Sequence, residues 1–376
     1  MTSYSKLALL GVFCACCGIA GCSRANLDAI KLLPVTDGGS DGIGDGGSDG
    51  IGDSGSDCIG DGGSDGIGDS GSDGIGDSGS DGSSDGDSDG NSSGDSDGSS
   101  DGSSDGDSSG TVTCPSPALT TGDTNETVWV GSTSRSYVLH VPSTYDGSKP
   151  VPLVVDFHAL TGSGSAERKT SPYPAQTDLE GVVMAFPNGQ SGPLGSAWNV
   201  GPCCVANVDD VAFAKALVAQ VQMTACVDPR RIYAVGVSMG GGMAYYLACR
   251  AADVFAAVAP AAFDLMQEEL GDCKPPRPIT VISFRGTGDT VVPYAGGPSS
   301  TVPGMQVTFL GAQATFKTWA DLDQCTDSPS APDSNGCSSY SACQGGVEVV
   351  LCTKQGGNQE AGNASVAWPV LKRHTL

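Results

Sequence analysis

Only three histidines occur in 376 residues, at positions 140, 158 and 374, and Lys plus Arg total 18 against 43 Asp plus Glu. So few imidazoles leave a short list of side chains that could act as a general base near neutral pH. The scarcity of basic residues excludes a nucleic-acid binder, because no stretch offers the cationic face that phosphates require. Long apolar runs are missing too. The stretch Leu7 to Ala20 is shorter than the ~20 residues needed to cross a bilayer core. Among the ten cysteines beyond residue 110 no C-x2-C pair occurs, so the usual zinc pattern is absent.

What the chain has in excess is acid, and it is unevenly placed. Asp37 to Gly110 holds 20 Asp and no Lys, Arg or Glu, so the formal charge of −25 leaves only about −5 for the other 302 residues. From Asp41 an eight-residue unit close to G-S-D-G-I-G-D-S recurs, with Asp at every fourth position through Asp85. Asp/Gly repeats can bind calcium as stacked β-rolls, but those have a period of nine and regular apolar positions. A tract with Ile only occasionally cannot bury a core, and it reads as a solvated, disordered spacer spanning roughly 45 Å root-mean-square as a flexible chain. The remainder, 111–376, has eight of the nine Tyr, all four Trp and several Val/Ile/Leu runs. It is long enough for one large core. The expected layout is a signal over 1–21, a linker over 22–110 and a folded domain over 111–376.

Lys6 followed by an apolar stretch reads as an export signal. It ends in Ile19-Ala20-Gly21-Cys22, which resembles the bacterial lipobox. That resemblance implies a lipidated Cys22, a membrane attachment only through this anchor, and a location outside the cell or on its outer surface. The ten cysteines of the folded part (114, 203, 204, 226, 249, 273, 325, 337, 343 and 352) fit export, since an even number in an oxidising compartment suggests up to five disulfides. Their pairing is open.

The folded part alternates strands with helices. Glu126–Val130 and Ser136–Val141 read as a hairpin, and Val151–Phe157 as a strand buried on both faces. A helix is expected from Asp209 to Cys226, then a strand Arg231–Val237, a helix Met239–Cys249, strands Ala256–Pro260 and Ile279–Phe284, a helix Ala312–Leu322 and a strand Val347–Cys352. This order predicts an α/β fold with a mostly parallel sheet covered by helices on both faces.

Between one of these strands and a helix lies Gly236-Val237-Ser238-Met239-Gly240. A serine on a tight strand-to-helix turn has strained backbone, and the flanking glycines remove side chains that would clash. The turn lifts the hydroxyl off the sheet toward backbone N–H groups that can stabilise an oxyanion. Around this elbow the domain resembles the α/β-hydrolase esterases grouped as feruloyl esterases and polyhydroxybutyrate depolymerases. The resemblance rests on 135–142 (Arg-Ser-Tyr-Val-Leu-His-Val-Pro), Val154-Val155-Asp156-Phe157-His158, Ala197-Trp198-Asn199, 208–213 (Val-Asp-Asp-Val-Ala-Phe), 227–233 (Val-Asp-Pro-Arg-Arg-Ile-Tyr), the elbow, and Gly286-Thr287-Gly288-Asp289.

The resemblance implies Ser238 as nucleophile, Asp289 as the acid that orients the base, and the N–H groups of Leu160 and Met239 as the oxyanion hole. It implies a monomeric, exported hydrolase cleaving phenolic esters on plant cell-wall polysaccharide, with a polymer-linked polyhydroxyalkanoate ester as the alternative substrate. Two departures stand out. Ala159 replaces the usual Gly in the oxyanion loop. Gln359, after Gly356-Gly357, stands where the family has its histidine. His374 alone preserves the order Ser, Asp, His along the chain and is therefore the candidate base. His140 and His158 are expected to be structural. A further reading follows from Gln359: a catalytically impaired relative retained as a surface binding protein.

Overall fold

The run Val151–Phe157 has no polar side to its pleat. In the structure, a computed structural model that describes residues 112–202, 204–299, 307–357 and 362–376, it is a strand of seven consecutive buried residues. Strands of this kind belong inside parallel sheets with helices over both faces. All described residues fall within one compact unit, 99–376. The signal, Cys22 and the whole acidic tract lie outside the described residues.

The strands in chain order are β1 Gly122–Val130, β2 Thr133–Val141, β3 Val151–Phe157, β4 Val183–Pro187, β5 Gln190–Gly192, β6 Gly195–Ala197, β7 Val227–Val237, β8 Ala257–Ala261, β9 Thr280–Gly286, β10 Gly297–Ser299, β11 Val307–Phe309, β12 Cys337–Tyr340 and β13 Val349–Lys354. The helices are α1 Gly164–Thr170, α2 Pro174–Thr177, α3 Asp210–Thr224, α4 Met239–Arg250, α5 Ala312–Leu322 and α6 Ala364–Leu371. Nine of these strands form one sheet in the order β1-β2-β4-β3-β7-β8-β9-β13-β12. The six from β4 to β13 run parallel, and antiparallel strands close both edges. The pairs β5–β6 and β10–β11 are separate small hairpins.

Alternation along β3 divides the core in two. Leu153, Val155 and Phe157 join the cluster under α3 and α4, with Phe213, Leu217, Met243 and Leu247, while Val154 joins Met184, Tyr233, Val235 and Trp368 on the other face. Asp209 caps α3 by accepting from the Ala212 N–H, and Asn363 caps α6 by accepting from the Ser365 N–H. Arg135 ties the edge hairpin to α3. It pairs with Asp210 at 2.7 Å, with its guanidinium over the Phe213 ring, all of it buried.

Four disulfides join Cys114–Cys226, Cys249–Cys273, Cys325–Cys343 and Cys337–Cys352, and Cys204 is disulfide-bonded as well. Cys203 lies outside the described residues. The expected strand Val151–Phe157 and helix Ala312–Leu322 form with those bounds. The sequence reading did not anticipate β4, which inserts between β2 and β3, nor the helices α1, α2 and α6. Each is eight residues or fewer, too short for periodicity to separate strand from helix.

Candidate active site

Ser238 follows the last residue of β7 and precedes the first residue of α4. Its backbone sits at φ 54°, ψ −122°, held by its own N–H donating to Ala261 O at 2.9 Å and by Gly242 N–H donating to its carbonyl at 3.0 Å. A non-glycine residue in this region is strained by roughly 1–3 kcal/mol and persists only where its surroundings over-determine it. The glycines explain how the turn closes. A Cβ on Gly240 would lie 1.8 Å from Phe157 O, and one on Gly236 would lie 2.5 Å from Gly240 O. The elbow packs backbone to backbone on the end of β3, and no side chain fits.

Cys204 (φ 82°), which lines the same cleft, is also strained, as are Thr161 (φ 68°) and Ala262 (φ 51°), each next in sequence to a lining residue. Ala159 is not among them, so its Cβ does not obstruct the loop after β3. The positive φ falls on Thr161, whose N–H donates to Ser196 O at 2.7 Å. The Leu160 and Met239 N–H groups have no acceptor among the described residues. Leu160, Ser238 and Met239 face a narrow cleft of about 70 Å³, walled mainly by Phe263, Met266, Val292 and Phe309. Phe263 and Phe309 meet edge to face at 5.2 Å.

Asp289 lies beyond β9 and is buried. Its Oδ1 accepts from the N–H groups of Val291 at 2.9 Å and Val292 at 3.0 Å, and both of those residues line the Ser238 cleft. Its Oδ2 is buried without a hydrogen-bond partner among the described residues. Beneath it sits Arg285, fully buried, which forms an ion pair with Asp264 and approaches Asp289 Oδ2 at 3.9 Å. Burial pushes the Asp264 carboxyl up to about 6, with the Arg285 charge opposing and the Asp289 charge adding to that rise.

Sequence reasoning passed over both Arg285 and Asp264. The available signal was a charged residue inside otherwise apolar runs, Thr-Val-Ile-Ser-Phe-Arg-Gly over 280–286 and Ala-Ala-Phe-Asp-Leu-Met over 261–266. Such residues are almost never fully buried unless paired.

All three histidines of the chain are among the described residues, and none is at Ser238. His158 accepts the Gly189 N–H at Nε2 (2.9 Å), which leaves Nδ1 to donate to Ala159 O at 2.7 Å. Burial lowers its basicity. With Trp198 Nε1–H donating to its carbonyl at 2.9 Å, it pins the loop that follows β3. His140 lies between Asp123 (2.6 Å) and Asp178 (3.2 Å) at the far edge of the sheet.

His374, the candidate base, is not brought to the site. Its Nε2 lies 2.7 Å from Glu348 Oε1, its carbonyl accepts the Tyr233 hydroxyl, and two residues later Leu376 N–H donates to Arg230 O. Arg230 is near the start of β7 and Ser238 just past its end, eight residues apart, or roughly 25 Å at strand rise. Helix α6 runs from the cleft end of the sheet to the opposite end, and it carries the C-terminal residues away. Gln359 lies outside the described residues.

The strand order, the parallel register and the serine elbow define the α/β-hydrolase fold. No established family profile matches the chain. It is 44% identical over 245 residues to feruloyl esterase B of Piromyces equi, an alignment covering 64% of this chain and 46% of that protein. It is 31% identical over 189 residues to a probable feruloyl esterase C of Aspergillus oryzae, covering 47% and 65%. The chain thus spans about half to two thirds of the curated relatives it matches. Among solved structures, an acetyl xylan esterase from Aspergillus awamori superposes with a TM-score of 0.50 at 15% identity, covering 66% of this chain and 98% of that one, a likeness of fold.

Proposed function

We infer that the domain is an exported serine carboxylic-ester hydrolase acting on phenolic esters of plant cell-wall polysaccharide. The observation that carries this reading is the strained Ser238 elbow opening onto an apolar cleft between two N–H groups that lack acceptors. Those N–H groups, of Leu160 and Met239, would hold the oxyanion of the tetrahedral intermediate as Ser238 Oγ attacks the ester carbonyl. Asp289 would orient and stabilise the group that takes the serine proton. The similarity to feruloyl esterases supports a phenolic acyl group, and the aromatic walls of the cleft suit a planar ring. No cofactor takes part in this chemistry. Export through a lipidated Cys22, the acidic tract as a tether and a monomeric state belong to the same proposal. The disulfides support an oxidising compartment.

A second reading is favoured by the placement of the three imidazoles: the fold retained as an ester-binding surface protein with slow chemistry. A serine hydrolase stripped of a triad member still keeps roughly 10³–10⁴-fold acceleration over water from its oxyanion hole and binding. The test compares hydrolysis of methyl ferulate, p-nitrophenyl acetate and a 3-hydroxybutyrate oligomer by the parent, Ser238→Ala and Gln359→His. A phenolic esterase prefers methyl ferulate, and Ser238→Ala is at least 10²-fold slower. Preference for the oligomer moves the assignment to polyhydroxyalkanoate. A silent parent that Gln359→His awakens supports the binding reading. Hydrolysis undiminished by Ser238→Ala rules out the serine mechanism.

A further inference from the structure

We propose that Arg285 is a positioning residue for Asp289, a buried cation shared between Asp289 and Asp264 that leaves one Asp289 oxygen without a hydrogen bond among the described residues. This rests on the reading of Ser238 and Asp289 as one site. A guanidinium with no exposure is costly unless its charge and its donors are met, so where each donor goes is informative. Nη1 pairs with Asp264 Oδ2. Nη2 donates to Val292 O at 2.6 Å and stands 3.9 Å from Asp289 Oδ2, while Nε is buried with no hydrogen-bond partner among the described residues.

A cation whose task was only to neutralise Asp289 would form the short, forked contact that guanidinium and carboxylate prefer. Here the hydrogen bonds to Asp289 come from the backbone instead, two on Oδ1, and Oδ2 has none although it is buried. The arrangement supplies Oδ2 with a positive field while leaving its lone pairs for a donor inside the site. Through Val292 the same cation also braces the turn that walls the cleft.

Asp264 is the counterweight. It follows β8, is 1% exposed, and its Oδ1 has no partner. The groups facing this cluster are Arg285 and Asp289 from β9 and its following turn, and Tyr245 from α4, whose hydroxyl pairs with Ser283 at 2.7 Å and lies within the field of Asp264. When Asp264 gains a proton it stops competing for Arg285, and the full cationic charge bears on Asp289. Burial places that event near pH 6. Asp264→Asn should therefore mimic the acid form at all pH values.

The test has two arms on the full chain. In the first, Asp side-chain carbons are labelled with ¹³C, and Asp264→Asn and Asp289→Asn assign the two signals by difference. Arg285→Met is expected to raise the proton affinity of Asp289 tenfold or more, Arg285→Lys to restore most of the parent value, and Asp264→Asn to lower it. An Asp289 titration unmoved by both Arg285→Met and Arg285→Lys overturns the proposal, whatever Ser238 does. In the second arm, kcat and KM for p-nitrophenyl acetate are followed from pH 4.5 to 8.5 in the Gln359→His background. There Arg285→Met should lower kcat at least 30-fold with KM changed less than threefold, Arg285→Lys should recover most of it, and Asp264→Asn should flatten the profile between pH 5 and 7. A loss of kcat that Arg285→Lys does not recover, with the Asp264→Asn profile parallel to its parent, reduces Arg285 to a structural ion pair and overturns the proposal. Coupling in the first arm together with hydrolysis indifferent to Ser238→Ala would instead sink the functional reading and leave the charge sharing intact.

Discussion

Ser238 concentrates two opposing demands. Its half-buried side chain lines the cleft with the backbone held at φ 54°, and that geometry costs stability that glycine would recover. Ser238→Gly is therefore expected to raise stability by about 1 kcal/mol while abolishing any serine-dependent hydrolysis, seen as a higher urea midpoint with an unchanged denaturant slope. Gly240 behaves oppositely. With its virtual Cβ 1.8 Å from Phe157 O, Gly240→Ala must push α4 off β3 and should cost more than the usual ~1–3 kcal/mol of core overpacking. Circular dichroism melting would show this, and an unchanged midpoint would mean that the elbow is not packed as described. His374 illustrates how far chain order can mislead. The order Ser, Asp, His pointed to it, yet its ring is held by Glu348 at the other end of the sheet. His374→Ala should leave kcat/KM per folded molecule within twofold of the parent and lower the melting temperature by a few degrees.

At the level of elements, β3 and α1 bring together a buried carboxyl, Asp156, and a half-buried one, Glu167, with no hydrogen-bonded cation on either among the described residues. Burial pushes Asp156 on β3 well above the ordinary carboxylate range, against a 2.5 Å hydrogen bond from Ser171, and burial then the Asp156 charge push Glu167 on α1 up as well. Both acids retain protons in the folded state that the unfolded chain gives up near pH 4. The folded pKa is the raised one, so each destabilises progressively as pH rises above about 4. Asp156→Asn removes that penalty and should stabilise the protein at pH 8 more than at pH 5 by thermal melting. Equal effects at both pH values would contradict the pairing. Among connections, Cys114–Cys226 closes the longest loop of the four disulfides whose two cysteines are both described, 112 residues, and ties the segment before β1 to the start of β7. Loop-closure reasoning assigns it about 4–5 kcal/mol.

Across the molecule the buried acids add up. Asp264 at about 6 and Asp323 at about 7, both raised first by burial, reinforce Asp156 and Glu167. Glu348, held low by His374 and Arg373 despite its burial, acts the other way, and its contribution is lost as pH falls below about 4.5. Stability is expected to peak in mild acid, near pH 5, and to decline toward pH 8, which differential scanning calorimetry across that range would check. A peak above pH 7 would mean that these carboxyls are ionised in the fold.

The sequence by itself determined the class of architecture, because apolar runs without alternation must be buried on both faces and hence become parallel strands. It also determined the elbow, because the serine and its glycines are a local geometric requirement written in five adjacent residues. The uneven charge was likewise a matter of counting. Tertiary structure alone decided which distant side chains meet. It set Arg285 between Asp264 and Asp289, twenty-one and four residues apart in sequence, because the ends of β8 and β9 lie side by side in the sheet. It carried His374 to the opposite end because α6 runs down the sheet before the chain ends. Local pattern specifies elements and turns, but a charged cluster is assembled by strand order, which no single segment encodes.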